Sequence, residues 1–238
     1  MDLEDRVVVV TGATGGLGRV VTRTLGERGA RLALVGSDQA RLDALVGELG
    51  LPAERVQARA ADLRHAEAAD GTAAAVMERF GRVDVLLHLV GGWTGGKELG
   101  DTPTDDLVAM LDQHVWTTFH LLRAFVPHLA VGGWGRVIVV SSPVATRPPA
   151  KSGAYAAAKA AEEALVLTVA QEAKDRGVTA NVLQVRTIDS DHRRDREPSP
   201  ANASWTTPEE ITAAILYLCS NAAGAVNGAR LPLFGPGG

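Results

Sequence analysis

The chain has 238 residues, 46% of them hydrophobic and 22% charged, enough for one sizeable α/β unit and short for two. A formal charge of −4 without a basic stripe argues against a nucleic-acid binder, and no apolar run approaches the length of a membrane span. The single cysteine, Cys219, lies in an apolar helical pattern, so a core role in a reducing cytoplasm is expected rather than a disulfide. The acidic opening runs straight into a strand, and no secretory leader is expected.

In chain order, Val7 to Val10 form an apolar run that suits a strand buried on both faces of a parallel sheet. Gly12, Gly16 and Gly18 follow, with helical spacing resuming at Arg19. A strand, a glycine turn and a helix N-terminus make an anion site: free backbone N–H groups and the helix dipole converge, and absent Cβ atoms admit a pyrophosphate. Further candidate strands are 31–35, 55–60, 83–90, 136–141, 179–185 and 229–233, after a first at 6–10, with helical patterns between them. Gly29 and Gly177 stand where a glycine would end a helix. Thr207, Pro208 and Glu210 spell an N-cap, a first-turn proline and a capping box. The alternation predicts a single Rossmann-type, doubly wound α/β domain over 1–238, a seven-stranded, mostly parallel sheet with helices on both faces and ligands at the carboxyl ends of the strands. The polar stretch 189–207 follows the sixth strand on that side and reads as a surface loop or, more sharply, a flexible lid.

Ser141 and Ser142 end the fifth strand, and Tyr155 and Lys159 lie four apart at the start of a long helix, on one face with only alanines between them. A phenol titrates near 10, and a neighbouring ammonium lowers that value, which makes Tyr155 a proton donor or acceptor near neutral pH. On its own, such a pair is also what a surface tyrosine with a snorkelling lysine looks like.

Thr11-Gly12 with Gly16 and Gly18, a serine thirteen residues before the tyrosine, and Tyr-x-x-x-Lys together resemble the short-chain dehydrogenase/reductase family. Asp62-Leu63, Gly135-Arg136 and Val226-Asn227-Gly228 extend the resemblance over essentially the whole chain. It implies hydride transfer between a nicotinamide cofactor and a small carbonyl or alcohol substrate. Tyr155 would be general acid/base, Lys159 its partner and a ligand of the nicotinamide ribose, and Ser142 the donor to the substrate oxygen. The cofactor would lie along Gly12, Thr14, Gly16, Leu17 and Gly18, Ser37, Asp62 and Leu63, Gly91 and Ile188. No metal ion is expected. The helices at 103–130 and 155–174 commonly pair with their copies in this family, which implies a homodimer or homotetramer. The second also shows apolar surface at Ala161, Ala164, Leu165 and Thr168.

The choice of cofactor rests on Val35-Gly36-Ser37-Asp38. Gly36 stands where an NAD enzyme usually places a carboxylate for the ribose hydroxyls, so NADP(H) is favoured. NAD(H) stays open, since Gly15 and Ser37 stand where NADP-preferring relatives often carry a base and Asp38 can turn toward the ribose. The chain departs from the family in four places. His88-Leu89-Val90-Gly91 replaces Asn-Asn-Ala-Gly, His114 takes the place of an asparagine in the proton relay, Val185-Arg186 replaces Pro-Gly, and the substrate loop around 187–207 is short. His114 is either a catalytic relay group, since imidazole donates and accepts, or a helix histidine with satisfied bonds. His88 reads as a packing residue; Arg186 as an anion clamp or a solvent-facing charge; Trp93 as a pocket wall or a loop anchor. A carbonyl reductase or alcohol dehydrogenase is the first reading. The alternative is a cofactor-binding relative without ordinary redox turnover.

Overall fold

The computed structural model describes residues 3–235. All seven expected strands form: β1 (Val7–Thr11), β2 (Arg31–Gly36), β3 (Val56–Ala60), β4 (Val85–His88), β5 (Gly135–Ser141), β6 (Val178–Val185) and β7 (Arg230–Leu233). They make one sheet in the order β3-β2-β1-β4-β5-β6-β7. Each of its six pairings is parallel, so the sheet is more uniform than the expected mostly parallel one. β4 is shorter at both ends than the apolar run 83–90, although Asp84 N and Leu89 N still bond the Val7 and Thr11 carbonyls of β1.

Period-two alternation sends each strand's side chains to both faces. Val8 and Val10 join Leu32, Leu34, Leu87 and Leu183 in one core layer, and Val7 and Val9 join Ala33, Leu86, Val139 and Val182 in the other. The first layer is closed by α1 (Gly16–Glu27), α2 (Gln39–Leu49) and, near the chain's end, α8 (Pro208–Leu218); the second by α3 (Ala66–Phe80), α5 (Thr117–Val131) and α6 (Gly153–Glu172). Gly29 and Gly177 take positive φ, 81° and 75°, in the left-handed region open to glycine. Thr207 and Glu210 close the expected capping box, with Pro208 in the first turn.

The helix expected over 103–130 is not uniform. α4 (Thr104–Met110) passes into a π-helical stretch, Leu111–Trp116, before α5 begins. The wider turn rotates Gln113 and His114 toward the strand ends; such bulges recur at functional sites. The stretch after β6 is tied down. Buried Asp189 accepts hydrogen bonds from the backbone N–H groups of Arg193 and Arg194 at 2.8 Å, starting the short α7 (Arg193–Arg196). Arg194 then forks onto Glu210 with two bonds of 2.9 Å. No helix among the described residues is long and apolar enough to cross a membrane.

Candidate active site

The glycine turn at the end of β1 is built to its side chains. Gly12 has φ 72° and a Cβ there would lie 2.9 Å from the Leu89 backbone; at Gly18 it would collide with the Gly12 carbonyl. At Gly16 it would come within 2.6 Å of Ser190 Oγ, so the loop after β6 lies against the turn, a contact with no signature in the sequence. In front of the turn opens a cleft of about 1130 Å³, bordered among the expected cofactor residues by Gly12, Thr14, Ser37, Asp62, Leu63 and Gly91. Gly16, Leu17 and Gly18 form the helix start behind it, and Ile188 stands on the loop, bridged to Thr206.

The cleft's far end carries the cofactor question. At Gly36 an added Cβ would make only ordinary contacts with Leu42, the nearest at 3.5 Å, so backbone crowding does not require a glycine there. Asp38 does not turn to the cleft: it caps α2, accepting from Arg41 N at 3.1 Å. Arg41, which sequence reading passed over, lines the cleft and reaches the Thr14 carbonyl at 3.3 Å. Asp62 is forked by Arg64 at 2.8 and 2.7 Å, and that hydrogen-bonded guanidinium brings its carboxyl down to about 2.

The expected acid/base residues gather near the end of β5. Ser142 is buried, its Oγ accepting from the Val144 backbone N–H at 3.5 Å, whereas the Ser141 hydroxyl is buried without a partner. Tyr155 packs edge-on against His114, ring centroids 5.5 Å apart. Lys159 is buried; its Nζ donates to the Val140 carbonyl at 3.0 Å and to Glu162 Oε2 at 2.6 Å. Two expectations are corrected here. Lys159 is not a free ammonium beside the phenol but one half of a buried ion pair. Tyr155 titrates above the ordinary phenol, not below it: burial raises it most, Ser142 lowers it, and the Glu162 charge raises it again.

His88 sits where β1 and β4 pair, Thr11 opposite it, with Nδ1 2.7 Å from Thr11 Oγ1. Burial holds its imidazole down at about 4. His114 is fully buried, Nε2 3.0 Å from the Gly92 carbonyl. Gln113 donates to the Gly91 carbonyl at 3.1 Å, so the π-helical turn holds the segment after β4. Arg186 is bonded to Ser204 at 3.2 Å within the loop, and the exposed ring of Trp93 lies over Gly95 of its own loop. Buried Cys219 has its thiol pushed up to about 12 by desolvation, as befits a core residue.

The short chain dehydrogenase family model matches residues 6–201. The chain belongs to that family. A 1,6-dihydroxycyclohexa-2,4-diene-1-carboxylate dehydrogenase of Pseudomonas putida is 31% identical, over 98% of this chain and 92% of its own. The 3-oxoacyl-[acyl-carrier-protein] reductase of Vibrio cholerae is 27% identical, over 99% of this chain and 98% of its own. Among solved structures, a short-chain oxidoreductase from Pseudomonas aeruginosa PAO1, described as containing an atypical catalytic center, superposes with a TM-score of 0.89 at 25% identity, over 99% of this chain and 98% of that one. Short-chain dehydrogenases are oxidoreductases that use a nicotinamide dinucleotide. The glycine cradle fits its pyrophosphate: a strand end, a glycine turn in which a Cβ at Gly12 or Gly18 would strike backbone, and the N-terminus of α1 stand together beside the cleft.

Proposed function

We propose that this short-chain dehydrogenase is an NADP(H)-preferring carbonyl reductase or alcohol dehydrogenase for a small organic substrate. The observation that carries the reading is the placement of Ser142 directly after β5 and of Tyr155 and Lys159 one turn apart on α6, with Lys159 bonded to the Val140 carbonyl of β5, on the side of the sheet where the glycine turn opens. Gly12, Thr14 and the start of α1 hold the pyrophosphate, and Asp62 and Leu63 flank the adenine. Gly91 and Ile188 border the nicotinamide half. The cofactor supplies or accepts hydride when bound. Ser142 donates a hydrogen bond to the substrate oxygen, Tyr155 gives that oxygen its proton in reduction and takes it back in oxidation, and the buried walls hold the carbons in reacting geometry. Gly36 removes the charge that would repel a 2′-phosphate, and Arg41 brings a cation to the same end of the cleft. The chain acts as one domain, in the cytoplasm, as a homo-oligomer.

Titration with NADPH and with NADH, followed by turnover against a panel of ketones and aldehydes, tests the reading. Tighter NADPH binding and reduction of at least one carbonyl class are expected; tighter NADH binding overturns the cofactor choice. A second reading, a dinucleotide-binding protein without redox turnover, is favoured by the neutralised Lys159. Binding of NADPH with no turnover on any carbonyl or alcohol would select it.

A further inference from the structure

Glu162 follows Lys159 by one turn of α6 and is wholly buried. Its Oε2 takes the ammonium at 2.6 Å, and its Oε1 accepts from Thr118 Oγ1 of α5 at 3.3 Å. Two imidazoles face that same Oε1: His88 Nε2 from β4 at 4.0 Å and His114 Nδ1 from the π-helical turn at 3.9 Å. Neither ring nitrogen has a hydrogen-bond partner. The opposite nitrogen of His114 meets the Gly92 carbonyl, which only accepts, so it carries the ring's hydrogen. In a neutral ring Nδ1 is then a lone pair turned toward the carboxylate. His114 therefore does not address Lys159; Glu162 stands between them. From β5 the Val140 carbonyl is the group that faces Lys159. Glu163, the next carboxylate along, is engaged elsewhere, by Gln184 of β6 and Arg230 of β7.

A buried ion pair is no cheap way to gain stability, because desolvation offsets its attraction and an apolar pair of like size serves as well. Here it sits one helical turn from the tyrosine that the proposed function makes the proton donor. We propose that Glu162 is a positioning residue of this site: it clamps Lys159 and cancels its charge, so that the Lys159–Glu162 pair, with His88 and His114 behind it, governs proton release at Tyr155 in place of the lysine alone. The inference rests on the reading of Tyr155 as acid/base, but its electrostatic content does not. An ammonium 2.6 Å from a carboxylate presents a dipole, not a charge, to a phenol further up the helix. The direction in which Glu162 pushes the phenol agrees, since its charge disfavours the phenolate.

The chain has two tyrosines, and Tyr217 is part-exposed on α8, away from the site. In a Tyr217→Phe background, phenolate absorbance against pH reports Tyr155 alone, with neither cofactor nor substrate present. Glu162→Gln, which unmasks the ammonium, should move the midpoint down by about one pH unit, and Lys159→Met should move it up by a similar amount. The double variant Glu162→Leu/Lys159→Met should bring it back toward the background and recover thermal stability that the single changes lose. Coincident midpoints in the folded variants overturn the proposal. If Glu162→Gln does not fold, the other two decide: no upward shift in Lys159→Met, or a double variant that keeps the single variant's shift, overturns it equally. Midpoints that move as expected in a protein that turns over no carbonyl or alcohol support the pair and count against the catalytic reading of Tyr155.

Discussion

The imidazole of His114 donates to the carbonyl of Gly92 across 3.0 Å, tying the π-helical turn to the segment that leaves β4 beside the cleft. That bond gives the residue a job the family's asparagine position did not suggest. With Gln113 on Gly91, it fixes the wall against which a dinucleotide would lie. His114→Ala should weaken NADPH binding severalfold and lower turnover by roughly tenfold, since a lost buried hydrogen bond costs about 1–2 kcal/mol. His114→Asn, short but still a donor, should recover part of the binding. Fluorescence titration of the nucleotide against the three proteins measures it; identical affinities would leave the wall independent of the imidazole.

Tyr155→Phe should abolish turnover, by at least about a hundredfold, with cofactor affinity nearly unchanged, because the ring packs and only the oxygen moves protons. Lys159→Ala should damage both binding and turnover, and also stability, because it leaves the Glu162 carboxylate buried without its cation. Parallel measurement of kcat, nucleotide Kd and Tm separates the two variants. A Phe variant with wild-type turnover would remove Tyr155 from the chemistry.

Gly36→Asp should turn cofactor preference toward NADH by about tenfold, the scale of one charged hydrogen bond gained or lost. The added Cβ meets only Leu42 side-chain atoms, at 3.5 Å and beyond, so the fold should tolerate it. Arg41→Ala should weaken NADPH alone. The ratio of the two dissociation constants in each variant is the measurement, and a ratio that stays put would place the 2′-phosphate elsewhere.

Stability should fall on the acid side through His88. Its folded imidazole titrates at about 4, below the ordinary value near 6.5, so the unfolded chain binds the proton first. The contribution is complete above the unfolded value, shrinks as pH falls toward 4 and is spent below it. Between pH 7.5 and 5 this amounts to about 2 kcal/mol. Urea unfolding at the two pH values should show the loss, and His88→Asn should flatten it. An unchanged slope in that variant would assign the acid sensitivity to other groups.

A dimer or larger assembly is expected at micromolar concentration. Trp116 and Phe119, 48% and 39% exposed, lie edge to face on the outside of the π-helical turn and α5, and Leu107 and Val108 of α4 are also exposed. Apolar surface so placed marks an association face. Light scattering on the wild type and on Trp116→Glu/Phe119→Glu checks it: the wild type should be oligomeric and the variant monomeric, and a monomeric wild type would withdraw the claim.

Much of this was legible in one dimension because it is local. A run of valines facing two layers makes a parallel strand wherever it sits; a turn that needs φ 72° and close backbone approach needs Gly12; Thr207, Pro208 and Glu210 complete one another within a single turn. Tyr155 and Lys159 stood out by their spacing on one helical face, and the family resemblance added Ser142 and gave the three their roles; the fold brings them near the same strand end. Arg41 escaped notice because a helix-surface arginine and one leaning over a nucleotide cleft have the same pattern; only the seat of α2 beside the glycine turn separates them.

The charge state of the site was not local at all. Nothing in the pattern along the chain singles out Glu162, and its burial follows from what packs on it: His88 from a strand 74 positions away, His114 from a turn 48 positions away, and Thr118 from α5. Propensity and periodicity report a residue's neighbours along the chain, whereas desolvation and ion pairing depend on neighbours through space, and the carboxylate excluded from water here takes the Lys159 ammonium. Spacing named the tyrosine and the lysine; the packing of β4, the π-helical turn and α6 around Glu162 set which charges they meet.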